Sequence, residues 1–178
     1  TALGRSVFAN NCAQCHGSAA RGARGFPNLT DGDWLWGGAP ETVLTTVLGG
    51  RQAVMPPWGA VLGDAGVTEA ATYVLSLSGQ PADAALAAAG KARFEQICVA
   101  CHGVEAKGNP VLGVPNLTDN IWLYGGDLAT LTETIRNGRN GMMPAQAPLI
   151  GAERARLAAA WVLSQSQGTP PTQAGGTP

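Results

Sequence analysis

The sequence predicts an all-α fold built from two tandem copies of one small domain. Apolar residues recur at helical spacing in three segments of each half, and the signals for β-strands are weak. The two halves share a sequence pattern over roughly 80 residues. A solenoid would have shorter repeats in more copies. We therefore expect an internal duplication.

In each half, three helices are expected. The first helix carries Leu3, Val7 and Phe8 on one face. The second opens with Pro40 at its first position, where proline is well tolerated. The third has Thr68 as its N-cap and ends in "LSG". The matching helices of the second half are 86–98, 127–137 and 151–166.

The offset between the two copies defines the domain boundaries. Cys98 lies 86 residues after Cys12, and from the repeated "PNLTD" block onward the offset is 88. The expected domains and connections are domain one at 1–79, a linker at 80–85, domain two at 86–167 and a flexible Gly/Pro/Thr-rich tail at 168–178.

Composition excludes several classes of function. The chain has 11 basic and 12 acidic residues, and the basic ones are not clustered, so no nucleic-acid partner is expected. No apolar run approaches the ~20 residues that a membrane-spanning helix needs. A domain of roughly 80 residues has a thin core, and a buried cofactor would complete it.

Every cysteine and histidine of the chain belongs to one of two short motifs, "CAQCH" and "CVACH". Cys-x-x-Cys-His is the attachment signature of c-type haem. Its two thiols can reach the two vinyl groups of the porphyrin as thioethers, and the adjacent histidine turns its ring onto the iron. Two covalent haems c are therefore predicted, held by Cys12, Cys15 and His16 and by Cys98, Cys101 and His102.

Other readings of the cysteines explain less. A disulfide framework gives no reason for a histidine after each pair. A Cys₄ zinc site usually has closer pairs and would leave the histidines unused. A thioredoxin-like redox pair needs a βαβ context that the sequence lacks.

The sixth iron ligand has few candidates, because no histidine or cysteine is left over. The repeat selects Met55 and Met143, each followed by proline, whereas Met142 has no counterpart in the first half. His/Met coordination raises the haem potential and leaves no open site for a substrate. The chain itself therefore has no predicted catalytic site and is expected to pass electrons.

Further residues are expected to support the haems. A carbonyl in the repeated "PNLTD" block can fix the histidine ring, an arginine can pair with a haem propionate, and a tryptophan can pack on the haem. These candidates are Pro27, Pro115, Arg51, Arg139, Trp34 and Trp122.

Together, the paired "PNLTD…W…GG" blocks, the Cys-x-x-Cys-His motifs and the Met-Pro pairs closely resemble the dihaem subunit family of cbb3-type cytochrome c oxidases, known as FixP or CcoP. The resemblance covers the chain from about Gly4 to Ser166. It implies two tandem class I cytochrome c domains. It also implies crossed ligation, in which each domain's methionine binds the other domain's haem. Sequence spacing alone cannot distinguish crossed ligation from ligation within each domain.

The resemblance also implies partners and a location. Electrons would come from a soluble cytochrome c or the bc1 complex and pass to the monohaem and haem–copper subunits of the oxidase. Family members carry an N-terminal membrane anchor, which this sequence lacks. The chain is therefore expected to be the periplasmic portion, tethered to the inner membrane in the full-length subunit.

Two other functions remain open from the sequence. One is a free-standing periplasmic dihaem carrier of the c4 kind. The other is a dihaem enzyme of the peroxidase or thiosulfate dehydrogenase type, which would need a vacant sixth site or a cysteine ligand.

Overall fold

A computed structural model describes residues 1–166, which form a mostly helical protein with one two-stranded sheet. Its elements are α1 Ala2–Asn11, α2 Ala13–His16, α3 Pro40–Gly49, β1 Arg51–Met55, α4 Gly59–Leu77, α5 Ala84–Arg93, a π-helical segment Phe94–Cys98, α6 Val99–His102, α7 Leu128–Asn137, β2 Arg139–Met143, α8 Ala147–Ile150 and α9 Ala152–Ser166. The tail expected at 168–178 lies outside the described residues. None of the helices within 1–166 has the length and apolar character needed to cross a bilayer.

The chain forms two compact units that do not coincide with the two sequence repeats. Unit 1 contains Thr1–Gln52 and the described residues from Met142 on, and unit 2 is Ala53–Gly141. Each unit therefore joins the first and middle helices of one repeat to the last helix of the other. The expected boundaries at 1–79 and 86–167 follow the sequence repeat and cut across both units.

In unit 1, α9 packs against α1 and α3. The ring of Phe8, 1% exposed, lies 4.5 Å from the ring of Trp161 on α9. Val7 is buried as expected, but Leu3 is exposed, which corrects the predicted apolar face of α1. Leu3 lies in the first turn of the helix, where no neighbouring element covers it in the described part of the chain.

Unit 2 has the same arrangement, with α4 packed against α5 and α7. Tyr73 on α4 meets the buried ring of Phe94 edge to face, with ring centres 5.4 Å apart. Tyr73 is the repeat equivalent of Trp161, and Phe94 is the equivalent of Phe8. Both cores therefore contain an aromatic contact between the last helix of one repeat and the first helical region of the other.

Two helix starts test the predicted caps. Pro40 is the first residue of α3, as expected. The N-cap prediction for Thr68 is wrong, because α4 begins at Gly59 and Thr68 lies inside it. The helix bends at Gly63, which has φ +66°, and the Thr68 hydroxyl donates instead to the carbonyl of Asp64 at 3.0 Å.

The sheet was not predicted. β1 and β2 are only five residues each, and β2 contains a glycine, so neither has a strong strand pattern. A Cβ on Gly50 would meet the carbonyl of Met143, and one on Gly138 would meet the carbonyl of Met55. The start of each strand thus lies beside the end of the other, so the strands run antiparallel.

Candidate functional site

The four thiols lie at two equivalent turns. Cys12 and Cys98 are partly buried, whereas Cys15 and Cys101 are exposed. Burial raises the pKa of the Cys12 and Cys98 thiols, and the neighbouring cysteine of each pair adds a smaller increase. None of the four forms a disulfide. Each turn therefore presents one partly buried and one accessible thiol.

The two histidines have the same surroundings in both units. His16 and His102 are each 8% exposed. Nδ1 of His16 lies 3.2 Å from the carbonyl oxygen of Pro27, and Nδ1 of His102 lies 3.2 Å from that of Pro115. Since a carbonyl can only accept, Nδ1 carries the proton and Nε2 has a free lone pair. Burial lowers the pKa of both histidines despite this hydrogen bond, so the rings are neutral and able to bind iron.

The loop after each histidine is held by residues that the sequence analysis missed. Ala20 and Ala106 have φ near +57° and +55°, in the left-handed region, and both are fully buried. Gly22 and Gly108 donate to the carbonyls of the two histidines, at 2.8 and 3.0 Å. A Cβ on either glycine would collide with backbone of the same loop. The matching positions of these glycines in the repeat were the available signal.

The repeated "NLT" tripeptide forms the same turn twice. The side-chain oxygen of Asn28 accepts from the backbone N–H and the hydroxyl of Thr30, at 3.0 and 2.8 Å. Asn116 and Thr118 repeat both hydrogen bonds at the same distances. These turns follow the proline carbonyls directly, so they fix the segment against which each histidine is oriented.

Each repeated "PNLTD…W…GG" block ends in two glycines, and the second glycine makes room for an indole ring. A Cβ on Gly38 would lie 2.8 Å from Nε1 of Trp34, and one on Gly126 would overlap the ring of Trp122. Trp122 also packs against the hydrophobic core of unit 2. Its Nε1 is buried without a hydrogen-bond acceptor among the described residues.

In unit 1, Arg51 is anchored from two sides. Its Nε donates to the hydroxyl of Thr46 at 2.9 Å, and its guanidinium carbon lies 4.8 Å from the ring centre of Trp36. This cation–π contact orients the plane of the guanidinium.

Unit 2 repeats this arrangement with Arg139. Its Nε donates to Thr134 at 2.9 Å, its guanidinium carbon lies 4.6 Å from the ring centre of Tyr124, and Nη1 pairs with Glu133 at 3.2 Å. Nη2 is buried and has no acceptor in the described part of the chain. A buried charged donor without a partner is costly, so Nη2 is suited to an anionic acceptor.

The segment after Met55 is attached to the middle helix of the second repeat. Trp58 N–H donates to the carbonyl of Ile135 in α7 at 2.9 Å. Met55 packs against the unit 2 cluster that includes Phe94, and Cys98 packs against the same cluster. The structure therefore brings Met55 together with the second attachment motif.

Met143 is attached to the middle helix of unit 1 in the same way, but it packs against a different cluster from Cys12. Gln146 N–H donates to the carbonyl of Val47 in α3 at 3.0 Å. Met143 packs against Val47 and Ala159, whereas the neighbouring Met142 is 71% exposed. The choice of Met143 over Met142 as a ligand stays a prediction.

These residues fit a haem c in each unit. Each unit offers two thiols, one neutral imidazole with a free Nε2, and one partly buried methionine. In unit 2, the buried donors of Trp122 and Arg139 suit a propionate. Within 1–166, no group of three His, Cys, Asp or Glu side chains is arranged to hold a bare metal ion.

Comparison with known proteins gives one consistent result. The family model described as cytochrome c oxidase, cbb3-type, subunit III matches residues 1–74 and 85–162. The chain is 48% identical over 167 residues to the cbb3-type cytochrome c oxidase subunit CcoP of Rubrivivax gelatinosus. It is 54% identical over 155 residues to the subunit FixP of Bradyrhizobium sp. (strain ORS 278), and 46% identical over 171 residues to the subunit CcoP of Rhodobacter capsulatus.

The matches cover most of this chain but only part of each relative. They include 93%, 81% and 89% of the chain, and 55%, 53% and 58% of the respective relatives. The chain thus spans little more than half the length of these curated relatives. From the family match and these identities, the chain belongs to the family of subunit III of cbb3-type cytochrome c oxidases.

Proposed function

We propose that this chain is the dihaem electron-transfer portion of a cbb3-type oxygen-reducing oxidase, made of two class I cytochrome c domains related by duplication. It relays electrons from a soluble cytochrome c or the bc1 complex to the other oxidase subunits. The observation that carries this proposal is the repeated attachment turn, with a neutral histidine held by a proline carbonyl at 3.2 Å in both units. Family membership supports haem c as the bound group.

Each haem c, when bound, supplies one reversible one-electron iron couple. The thiols of each attachment turn hold the porphyrin covalently, and the histidine Nε2 holds the iron. The proline carbonyl fixes the imidazole tautomer and increases the electron density on Nε2.

With haem bound, Met55 would bind the iron that His102 holds, and Met143 would bind the iron that His16 holds. The division into units supports this assignment, because Met55 and His102 both lie in unit 2, and Met143 and His16 both lie in unit 1. Each is also held by a backbone hydrogen bond from the following turn to the middle helix of that unit. Because each methionine belongs to one sequence repeat and its histidine to the other, this is crossed ligation.

In unit 2, Arg139 and Trp122 hold a haem propionate. Their buried Nη2 and Nε1 atoms lack protein acceptors, and a carboxylate supplies two oxygens for such donors. Arg51 and Trp34 take the corresponding roles in unit 1. Both pairs exclude water from one edge of the haem and stabilise its negative charge.

The relatives favour this function over the two alternatives. Their names assign them to an oxidase complex, which a free-standing carrier of the c4 kind would not join. A dihaem enzyme needs an open coordination site, and a methionine in each unit occupies it. The chain acts in the periplasm, because haem c is attached there, and its full-length form is tethered to the inner membrane.

The test uses an oxidase preparation that lacks its dihaem subunit. Adding the full-length haem-loaded subunit should restore oxygen consumption from reduced cytochrome c, and the subunit should co-purify with the oxidase. A titration with dithionite should consume two electrons per chain. Restored electron transfer without co-purification would instead identify a free carrier, and a one-electron titration would exclude two haems.

The matched control is the same subunit with Met142→Ala. Met142 is exposed, so this variant should restore oxygen consumption fully. A loss equal to that of Met143→Ala would contradict the choice of Met143 as the ligand.

A further inference from the structure

Unit 1 contains a surface cleft of about 590 Å³ that lies outside the attachment turn. Its walls include Arg5, Ser18, Arg21, Thr30, Trp161 and Gln165. Arg5 lies on α1, Gln165 lies on α9, and the other polar residues lie on the loops that follow α2. Elements that are distant in sequence thus place two guanidinium groups around one cleft.

The two arginines have no counter-charge. Neither Arg5 nor Arg21 forms an ion pair or a side-chain hydrogen bond within residues 1–166, and both are exposed. The first 30 residues of the chain contain no Asp or Glu. Asp31 directly follows Thr30, but the residues that line the cleft include two arginines and no Asp or Glu, so its walls carry positive charge.

The equivalent positions of unit 2 provide an internal comparison. Lys91, the counterpart of Arg5, pairs with Glu95 at 3.8 Å. Lys107, the counterpart of Arg21, donates to Thr118 at 2.7 Å. The second copy thus keeps the positive charges but satisfies both within the unit. Among the described residues, the cations at these two positions lack a side-chain partner in unit 1 but have one in unit 2.

Two arginines facing one cleft suit an oxoanion with two negative charges, because each guanidinium can donate two parallel hydrogen bonds. Ser18 and Thr30 line the same walls. The volume falls in the range of small-molecule sites and exceeds what inorganic phosphate fills. We propose that this cleft binds the phosphate group of a larger molecule, either free in solution or as a lipid headgroup.

Calorimetry with pyrophosphate on the haem-loaded protein at low ionic strength tests the free ligand. We expect saturable binding at one site. Arg5→Gln and Arg21→Gln should each weaken it about tenfold, as expected for the loss of a charge-assisted hydrogen bond. Both side chains are exposed, so the variants should fold and keep their haem spectra.

Two control variants separate the cleft from general charge. Arg154→Gln removes one positive charge from unit 1 at a residue of α9 outside the cleft walls. Lys107→Gln removes the charge at the position equivalent to Arg21. Both should bind pyrophosphate within about twofold of the parent protein, since screening reduces distant surface charges to a small effect.

A second arm tests the lipid source by sedimentation with vesicles of phosphatidylglycerol and phosphatidylcholine. Vesicle binding that Arg5→Gln and Arg21→Gln abolish, with no pyrophosphate binding, would identify a lipid phosphate as the ligand. Arginine-dependent pyrophosphate binding without vesicle binding would identify a soluble ligand. The proposal is overturned if neither probe binds, or if Arg154→Gln weakens binding as much as Arg21→Gln does. None of these outcomes bears on the haem ligands.

Discussion

Unit 1 and unit 2 share the attachment turn but differ in their charged side chains. In both, the histidine, the proline carbonyl and the arginine anchored over an aromatic ring have nearly identical geometry. Among the described residues, Trp122 Nε1 and Arg139 Nη2 of unit 2 are buried donors without a partner, whereas Arg5 and Arg21 of unit 1 are surface cations without a side-chain partner. The attachment turn, which haem attachment requires, is the same in both copies. The residues around it differ between the copies.

The helix starts differ too. The middle helix of unit 2 begins after Asp127, whose side chain accepts from the N–H of Thr130 at 2.9 Å. The middle helix of unit 1 begins after Ala39, which offers no side-chain cap. Each of these differences can be tested by exchanging or removing the residue in one copy and using the other copy as the reference.

The largest effect is expected from the methionines. In a protein whose first attachment is removed by Cys12→Ser and Cys15→Ser, Met55→Ala should abolish the methionine-ligated spectrum of the remaining haem and lower its reduction potential. Met143→Ala in the same background should change neither. The reverse pattern in an optical redox titration would establish ligation within each repeat and refute crossing.

Next in size are the glycines beside the methionine carbonyls. Gly138→Ala and Gly50→Ala each place a Cβ against backbone at φ near +70°. We expect each to lower the free energy of unfolding by about 2 kcal/mol or more, measured with guanidinium chloride. The matched control is Gly49→Ala, because that position has no atom within 4 Å of a Cβ. Equal losses for Gly49→Ala and Gly50→Ala would contradict the explanation.

Trp122→Phe tests the buried donor of unit 2. Replacing the indole by a phenyl ring removes the Nε1 donor and part of the ring, and the loss of the donor should lower the free energy of unfolding of the haem-loaded protein by roughly 1.5–3 kcal/mol, the range for a hydrogen bond to a charged group. Trp34→Phe should lower the free energy of unfolding by less, because the indole nitrogen of Trp34 is not among the buried donors that lack an acceptor in the described residues. Equal losses for the two variants would show that packing, and not a propionate, determines the effect.

The smallest effects are expected at the helix caps. Hydrogen bonds from Thr130 lower the pKa of Asp127, so its stabilisation is fully present above the ordinary aspartate pKa and is lost as the pH falls through the lowered one. Asp127→Ala should therefore reduce the melting temperature at pH 7, and this reduction should become smaller as the pH falls below the ordinary aspartate pKa. Ala39→Asp should stabilise unit 1 by about 1 kcal/mol at pH 7. An unchanged melting temperature for Ala39→Asp would show that α3 gains nothing from a cap.

The sequence predicted the chemistry because haem attachment is specified locally. Cys12, Cys15 and His16 are close in the chain, so their spacing alone indicates what they can hold. Pro40 at the start of α3 was readable for the same reason, since its effect is confined to one turn. The repeat also paired Gly22 with Gly108, although their role against the loop backbone became visible only in three dimensions.

Tertiary structure decided which half of the chain completes each core. Phe8 contacts Trp161, and Phe94 contacts Tyr73, so each contact joins the first helical region of one repeat to the last helix of the other. The apolar faces of the two last helices have the same sequence pattern, and this pattern does not indicate which first helix each of them packs against. The sequence by itself therefore determined two attachment sites and two candidate methionines. Only the packing of α4 and α9 decided which methionine lies in the same compact unit as which histidine, because that division depends on contacts between segments far apart in the chain.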